Sequence, residues 1–307
     1  MTFTFTVITV ATQAEGYYDA LKEGCERAGV RLVTLGWGKK WRGYAWKLRL
    51  VREFLHAERE RLGDSFIVFV DGFDVLPTFR SAEELSNAYE KASGAGDAKV
   101  VLGVDSPPKT AAEISQAAAS RGVFGTCMGR SINSGVYAGP LPKLLKVLEL
   151  CSEQHEGQGD NDDDQRMLSR ACRQNRDWFE ANAVFDDNAA LVLNATCALS
   201  ARTSRKIQQE AAALKSASKS ERTPAAFLHG AGDCDMDAAA RALSLPKRVQ
   251  RSRGVKDRVF SRDGYARFFV APVIIVLVLV IGCVIYRRRR ASSMCVDPNT
   301  SSVKTIK

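Results

Sequence analysis

The chain has 307 residues and a formal net charge of +9. About 245 residues precede an apolar segment near the C-terminus, which is enough for one large domain with a sizeable core. The charge does not indicate nucleic-acid binding, because the excess positive charge is concentrated at 247–267 and in the arginine run 287–290. The globular part has no basic face interleaved with aromatic residues.

The first sixty residues alternate between strand and helix patterns. The predicted elements are a strand at 1–10, a helix at 16–28, a strand at 31–35, an irregular loop at 35–46 and a further helix. That last helix rests on apolar residues at +3, +4 and +7 spacings: Leu48, Val51, Leu55 and Leu62. Residues 1–10 lack a basic region and a cleavage site, so they predict a strand rather than a signal peptide.

Residues 66–70 form a continuous apolar run that ends on two aspartates. Such a run predicts a strand buried on both faces, and Asp71 and Asp74 follow at its carboxyl end. Open α/β sheets bind their ligands at that end, and two carboxylates there suit a hard divalent cation shared with substrate phosphates. The alternative is a strand-to-turn junction in which both aspartates cap backbone amides.

The second half continues the alternation. Ser81 and Glu84 form a capping box that opens a helix, residues 99–104 predict a strand, and a leucine stripe at 141–148 predicts a core helix. Residues 201–224 are rich in Ala, Ser and Lys and predict a surface helix or a loose linker. The alternation as a whole predicts an α/β fold with a mainly parallel sheet covered on both faces.

Three polar segments are candidate ligand sites. Residues 131–139 contain Asn133 between small residues and, taken alone, predict an ordinary turn. The alternative is a segment whose Gly135 and Gly139 let a ligand approach the backbone. Residues 160–165 carry four acidic side chains, as in a solvated loop or a helix N-terminus. Residues 225–233 place His229 at a strand end beside glycines, where it could complete a metal site with Asp71 and Asp74.

The cysteines and sequons leave the compartment open. Six cysteines precede the C-terminal apolar segment with no C-x-x-C spacing, so no zinc site is predicted and disulfides are permitted without being required. Asn194 and Asn299 begin formal glycosylation sequons.

Residues 268–286 contain nineteen residues without a charge and predict a transmembrane helix. The predicted organisation is a domain at 1–245, a basic juxtamembrane stalk at 246–267, the membrane helix, and a short basic tail at 287–307. Membrane lipid is therefore an expected partner, and the arginine run favours a cytosolic tail.

Seven segments in this order resemble the glycosyltransferase domain of the procollagen lysyl hydroxylases and, more broadly, the GT-A nucleotide-sugar transferases. They are VITVAT (7–12), EGYYDAL (15–21), LGWGKKWRG (35–43), FVDGFDV (69–75), INSGVYAG (132–139), DDDQ (162–165) and LHGAG (228–232). The similarity covers most of the globular part.

The resemblance implies a GT-A Rossmann-like α/β/α fold and a manganese-dependent transfer of glucose or galactose from a UDP-sugar. The acceptor would be a hydroxyl of a protein or glycan, such as a hydroxylysine-linked sugar. The implied metal ligands are Asp71, Asp74 and His229. The implied nucleotide and diphosphate contacts are Val10, Ala11, Thr12, Lys47, Phe73 and Gly232. The implied acceptor and sugar side comprises Asn133, Asp163, Asp164 and Gln165. Lys47 and the metal would neutralise charge that develops on the β-phosphate as UDP departs.

The chain also departs from the family pattern. Phe73 stands in place of a tyrosine, Ala231 in place of an asparagine and Asp235 in place of a lysine, and GVDSPPKT (103–110) replaces a tryptophan-rich loop. The hydroxylase half of the family's proteins has no counterpart in this sequence, so iron and 2-oxoglutarate chemistry is not expected. The alternatives are an inactive sugar-binding membrane protein and a membrane-tethered phosphotransferase or nuclease. The family resemblance and the arginine run together place the domain in the lumen of the endoplasmic reticulum or Golgi.

Overall fold

Strands and helices alternate along the chain, as the apolar pattern predicts. The computed structural model describes residues 3–94, 96–108, 111–153, 162–197, 205–216, 224–231 and 234–249. They all belong to the first of two compact units, Met1–Ser252 and Arg253–Lys307. The predicted transmembrane helix 268–286, the tail and most of the stalk lie outside the described residues. Among the helices that are described, none has the length and apolar character needed to cross a membrane.

The strands are β1 (Phe5–Val10), β2 (Arg31–Leu35), β3 (Phe66–Asp71), β4 (Val75–Pro77), β5 (Val100–Val104), β6 (Ile132–Pro140), β7 (Ala183–Phe185), β8 (Val192–Thr196) and β9 (Phe227–Ala231). The helices are α1 (Tyr18–Arg27), α2 (Tyr44–Ala57), α3 (Arg59–Leu62), α4 (Ala82–Ser93), α5 (Ala111–Phe124), α6 (Leu141–Glu153), α7 (Asp164–Gln174), α8 (Arg176–Asn182), α9 (Arg205–Ser216) and α10 (Asp237–Ala242).

Two sheets organise these elements. The larger has the order β2-β1-β3-β6-β5-β7, and the smaller has the order β4-β9-β8. In the larger sheet β6 runs antiparallel to both of its neighbours, while the other three pairings are parallel. The mainly parallel sheet expected from the sequence is therefore confirmed.

The larger sheet is covered on both faces, which confirms the layered arrangement. Ile67 and Phe69 of β3 belong to a core that also contains residues of α2, α6 and α7. Val68 and Val70 point to the opposite face, where they pack with residues of α1 and α4. Because successive strand residues face opposite sides, the uninterrupted apolar run of β3 is what two cores require.

A third core lies between the smaller sheet and the last two helices. Ile207, Ala211 and Leu214 of α9 are buried in it together with Leu228 of β9. The segment 201–224, interpreted from composition as a surface helix or loose linker, thus contains a helix with a packed apolar face.

Two other local expectations differ from the structure. Residues 131–139 do not form a turn: most of them belong to β6, a strand buried along most of its length. The helix expected to reach Leu62 ends at Ala57, and Leu62 lies in the separate short helix α3. Ser81 is confirmed as the N-cap of α4, because its Oγ accepts the Glu84 N–H at 3.2 Å; Glu84 Oε2 accepts the Arg80 N–H at 2.7 Å, one residue before the position expected for a capping box.

Candidate active site

The site forms where β1 and β3 end together. These strands are parallel, and Val10 is the register partner of Asp71. The antiparallel β6 brings its beginning, rather than its end, to the same edge, with Val136 opposite Val70. Polar residues that follow β1 and β3 therefore meet polar residues that open β6.

Asp71, Asp74 and His229 come together at this edge. One ligand atom from each of them lies within 4.8 Å of the others. His229 is placed by the smaller sheet, in which it pairs with Val75 immediately after Asp74. Its Nε2 lies 3.6 Å from Asp74 Oδ1, and the Gly230 N–H donates to the Asp74 carbonyl at 2.8 Å.

Burial and mutual repulsion govern the charge of this cluster. Burial raises the pKa of Asp71 to about 6; Lys47 opposes this rise, and Asp74 and Asp164 add to it. Burial lowers the pKa of His229, but the adjacent Asp74 outweighs that effect and holds it above its usual value. The cluster is therefore a place where an added cation would relieve repulsion between carboxylates.

Lys47 lies in the same cluster and is almost completely buried. It projects from α2, and its Nζ is 2.5 Å from Asp71 Oδ1 and 2.6 Å from Asp164 Oδ2. Burial lowers the pKa of Lys47, but the two carboxylates together raise it well above its usual value. Lys47, which the resemblance implies as a diphosphate contact, is thus also a buried counterion that links β3 to α7.

The predicted uridine segment lies directly beside the aspartates. Val10 and Ala11 are buried, the Ala11 N–H donates to the Leu35 carbonyl at 3.0 Å, and the Thr12 carbonyl accepts the Gly38 N–H at 2.9 Å. These bonds hold the segment against the loop that follows β2.

The turn between Asp71 and Asp74 is braced by the residues that precede α1. The Phe73 carbonyl accepts the Tyr17 N–H at 2.9 Å. Gly16 has a φ of +59°, and a Cβ there would lie 2.1 Å from the Phe73 carbonyl oxygen. Glycine is therefore required at position 16 for this close approach.

Asn133 is buried and uses its amide inside the protein. Its Nδ2 donates to Asp105 Oδ1 at 3.0 Å, and its Oδ1 accepts the Gly135 N–H at 3.0 Å. Gly135 was expected to admit a ligand, but the His229 imidazole occupies that space: a Cβ at Gly135 would lie 2.1 Å from His229 Cε1.

The acidic segment opens α7, which confirms the helix N-terminus interpretation for its described part. Asp163 is the N-cap and accepts the Arg166 N–H at 2.9 Å. Asp164 turns toward Lys47. Gln165 is buried, and its Nε2 has no hydrogen-bond partner among the described residues. Gly232 lies outside the part of the chain that the structure describes.

Sequence reasoning missed two contacts of this site. The Lys47–Asp164 pair depends on the packing of α2 against α7, which no local pattern indicates. Asn194 contacts His229 Nδ1 through its Oδ1 at 2.7 Å. The only sequence signal at Asn194 is its sequon, and a sequon indicates glycosylation rather than contact with a histidine.

Comparison with known proteins identifies the family of this chain. Residues 2–239 match the family model described as the PLOD GT domain. A relative from Caenorhabditis elegans, the multifunctional procollagen lysine hydroxylase and glycosyltransferase, is 29% identical over 168 residues. That match covers 52% of this chain and 21% of the relative, so the chain corresponds to about a fifth of the larger protein.

A solved structure gives a more distant match. It is a glycosyltransferase involved in the glycosylation of the major capsid of PBCV-1, with 11% identity, a TM-score of 0.45, and coverage of 73% of this chain and 92% of its own. The family assignment rests instead on the match over residues 2–239, which spans most of the chain and contains the described site residues. The chain therefore belongs to the PLOD family of glycosyltransferase domains.

Proposed function

We propose that this protein is a membrane-anchored, metal-dependent hexosyltransferase that moves glucose or galactose from a UDP-sugar to a hydroxyl of a protein or glycan. The observation that carries the proposal is the meeting of Asp71, Asp74 and His229 beside Val10, the residue that ends β1. This arrangement places candidate cation ligands next to the segment expected to contact the nucleotide.

The residues fit a divalent cation such as Mn²⁺. Two carboxylates and one imidazole have their ligand atoms within 4.8 Å of one another, and these donors suit manganese. Burial, together with repulsion from Asp74 and Asp164, raises the pKa of Asp71, and a bound cation would oppose this rise. When bound, the cation supplies positive charge to the diphosphate of the departing UDP.

The chain's own side chains provide the remaining functions. Lys47 donates a hydrogen bond to Asp71 and forms an ion pair with Asp164, and its ammonium group is also suited to a phosphate oxygen. The Nε2 of Gln165, which has no hydrogen-bond partner in the part of the chain that the structure describes, is a donor suited to a sugar hydroxyl. Asn133 uses both ends of its amide within the protein, so its part in acceptor binding is to shape the site. Asp163 uses one carboxylate oxygen to cap α7.

The test is UDP release by the full chain in detergent, with UDP-glucose or UDP-galactose and MnCl₂. We expect metal-dependent release by the wild type, and loss of it in Asp71→Ala, Asp74→Ala and His229→Ala. Asp64→Ala and His56→Ala remove exposed residues of the same types and should leave the rate unchanged. The three site variants should also lose manganese-dependent UDP affinity in calorimetry while keeping the wild-type far-UV circular dichroism spectrum, which shows that the fold is intact.

UDP-sugar binding without UDP release, across both sugars and a range of hydroxyl acceptors, would support the inactive sugar-binding alternative. Unchanged UDP affinity in Asp71→Ala or Asp74→Ala would overturn the assignment of the site. Metal-dependent cleavage of phosphodiesters with no sugar dependence would support the nuclease alternative.

Placement of the domain in the lumen of the endoplasmic reticulum or Golgi is part of the same proposal. Two cysteine pairs, Cys127–Cys172 and Cys197–Cys234, are bonded, with Cα atoms 5.9 and 5.6 Å apart. Disulfides persist in oxidising compartments and are rare in the cytosol, so both pairs support a lumenal domain. The predicted anchor at 268–286 would hold it at the membrane.

Protease protection on sealed microsomes tests this placement. We expect the domain to survive digestion until detergent is added. Digestion without detergent would show that the domain faces the cytosol.

A further inference from the structure

Asn194 lies beside His229 because of strand register. The parallel strands β8 and β9 pair residue by residue, and Asn194 is the register partner of His229. Asn194 is only 2% exposed, and its Oδ1 is 2.7 Å from His229 Nδ1. The two side chains are thus direct cross-strand neighbours in the interior.

A second hydrogen bond fixes the orientation of the Asn194 amide. Its Nδ2 is 2.9 Å from the carbonyl oxygen of Val104. A carbonyl can only accept, so the NH₂ group must face Val104 and the amide oxygen must face the imidazole. The main chain, rather than the imidazole, therefore decides which end of the amide His229 meets.

The amide oxygen in turn determines where the imidazole carries its hydrogen. An amide oxygen accepts and cannot donate, so Nδ1 of His229 must be the protonated nitrogen. In the neutral ring, Nε2 then holds the lone pair, and Nε2 is the nitrogen that faces Asp74 at 3.6 Å. A lone pair there is what a metal ligand requires.

Gly135 limits the ring from another side. A Cβ at that position would lie 2.1 Å from Cε1, 2.5 Å from Nδ1 and 2.7 Å from Nε2 of His229. The imidazole is thus packed against the backbone of β6 while Asn194 holds its Nδ1. Its position and its tautomer are both determined by residues of this chain.

We propose that Asn194 is a positioning residue that sets the Nδ1–H tautomer of His229 and thereby directs Nε2 toward the cation site. The effect on metal binding rests on the proposed function, whereas the tautomer itself does not. The proposal also gives the Asn194-Ala195-Thr196 sequon a different meaning, because the amide nitrogen that would carry a glycan is buried and donates to Val104.

The first measurement is ¹⁵N NMR of histidine-labelled, metal-free full chain in detergent, at a pH where the imidazoles are neutral. The chain has three histidines, and His229→Ala identifies the signals of the third. We expect a protonated Nδ1 and an unprotonated Nε2 in the wild type. Asn194→Leu, which is similar in size but has no acceptor, should lose this preference.

Asn194→Asp separates positioning from general damage to the fold. Aspartate keeps an oxygen acceptor for Nδ1–H, although it loses the donor to Val104 and adds a negative charge. Both the acceptor and the charge favour a hydrogen on Nδ1, so the Nδ1–H form should be restored. Asn87→Leu on the exposed face of α4 is the control and should behave as wild type. A wild-type ring protonated at Nε2, or an unchanged tautomer in Asn194→Leu, overturns the proposal.

The second measurement is titration of the same metal-free proteins with MnCl₂ in a calorimeter. Loss of the partner that orients a ligating histidine weakens metal binding about 10–100-fold, and we expect this in Asn194→Leu with recovery in Asn194→Asp. Wild-type affinity in Asn194→Leu contradicts the proposed effect on the cation site. If His229→Ala binds manganese as the wild type does, the metal assignment fails while the NMR result still decides the role of Asn194.

Discussion

Lys47 places a positive charge in the interior between two carboxylates that come from different elements. Its Nζ contacts Asp71 and Asp164, and both Lys47 and Asp164 are almost inaccessible to solvent. A buried ion pair adds little to the stability of a fold compared with an apolar pair of the same shape. Removal of one partner, however, leaves an uncompensated charge in the interior and is strongly destabilising.

We therefore expect Lys47→Met to lower the free energy of unfolding by about 3–5 kcal/mol. The double variant Lys47→Met with Asp164→Leu should recover part of that loss, because it removes one of the two stranded carboxylates. Urea unfolding of the four proteins in the cycle measures this. Lys146→Met removes an exposed lysine from a surface ion pair and should cost less than about 1 kcal/mol. Equal losses in Lys47→Met and Lys146→Met would contradict the buried role.

The proposed manganese site predicts an affinity that depends on pH, because two of its ligands have raised pKa values. His229 and Asp71 both take up protons at a higher pH than usual, Asp71 near pH 6. A protonated ligand cannot bind the metal, so affinity should be full at higher pH and should fall as the pH drops through this range.

Calorimetric titrations at several pH values test this dependence. His229→Ala should remove the imidazole part of it and leave the carboxylate part near pH 6. His56 is about half exposed, and His56→Ala should change nothing. A flattened profile in His56→Ala would show that the wrong histidine has been assigned.

At the scale of elements, a single carboxylate ties β7 to β8. Asp186 is buried after β7, and its oxygens accept the N–H groups of Ala190, Leu191 and Val192 at 2.7–2.9 Å. These donors lie in the turn and at the beginning of β8, the strand that carries Asn194. The orientation of β8 therefore depends on this side chain.

Asp186→Ala leaves three backbone donors without their partner, and we expect a loss of about 2–4 kcal/mol in the free energy of unfolding. Asp187→Ala is the matched control. Its side chain is half exposed and pairs with Arg130, so its removal should cost less than about 1 kcal/mol. Similar denaturation midpoints for the two variants would show that the turn does not depend on Asp186.

Helices and strands were predictable from the sequence where their apolar pattern extends over many consecutive residues. The run at 66–70 predicts a strand because it is continuously apolar, as burial on both faces requires. The leucines of α6 predict a helix because they recur at helical spacing. The strands β4 and β7 have only three residues each, and their pairing partners are far away in sequence. No local pattern could predict them.

The same distinction applies to the site. Asp71 and Asp74 follow a strand that the sequence reveals, so their place at the sheet edge was predictable. His229 reaches them only through the smaller sheet, and Asp164 reaches Lys47 only through helix packing. Family resemblance indicated these residues, but their contacts depend on tertiary structure.

At the scale of the whole molecule, the described domain continues past the predicted boundary at 245. Val249 and Gly16 exchange backbone hydrogen bonds of 2.9 and 2.8 Å, and the Arg248 N–H donates to Asp237 at 3.1 Å. Asp237 also accepts the Tyr17 hydroxyl at 3.0 Å. The last described residues thus hold the segment that braces the turn at Phe73.

A chain that ends at residue 252 should therefore be more stable than one that ends at 245. The shorter chain loses these bonds, and a loss of about 1–2 kcal/mol corresponds to a melting temperature lower by about 2–8 °C. Differential scanning fluorimetry of both chains provides the comparison, with the full-length protein as the reference. Identical melting temperatures would mean that residues 246–252 add nothing to the fold.

The ammonium group of Lys47 belongs to the polypeptide itself, whereas a bound cation must come from the surroundings. With Lys47 between Asp71 and Asp164, the folding of the domain does not have to wait for an ion. On the proposed function, a shortage of manganese would therefore stop sugar transfer without unfolding the domain, and transfer would resume when the ion returns.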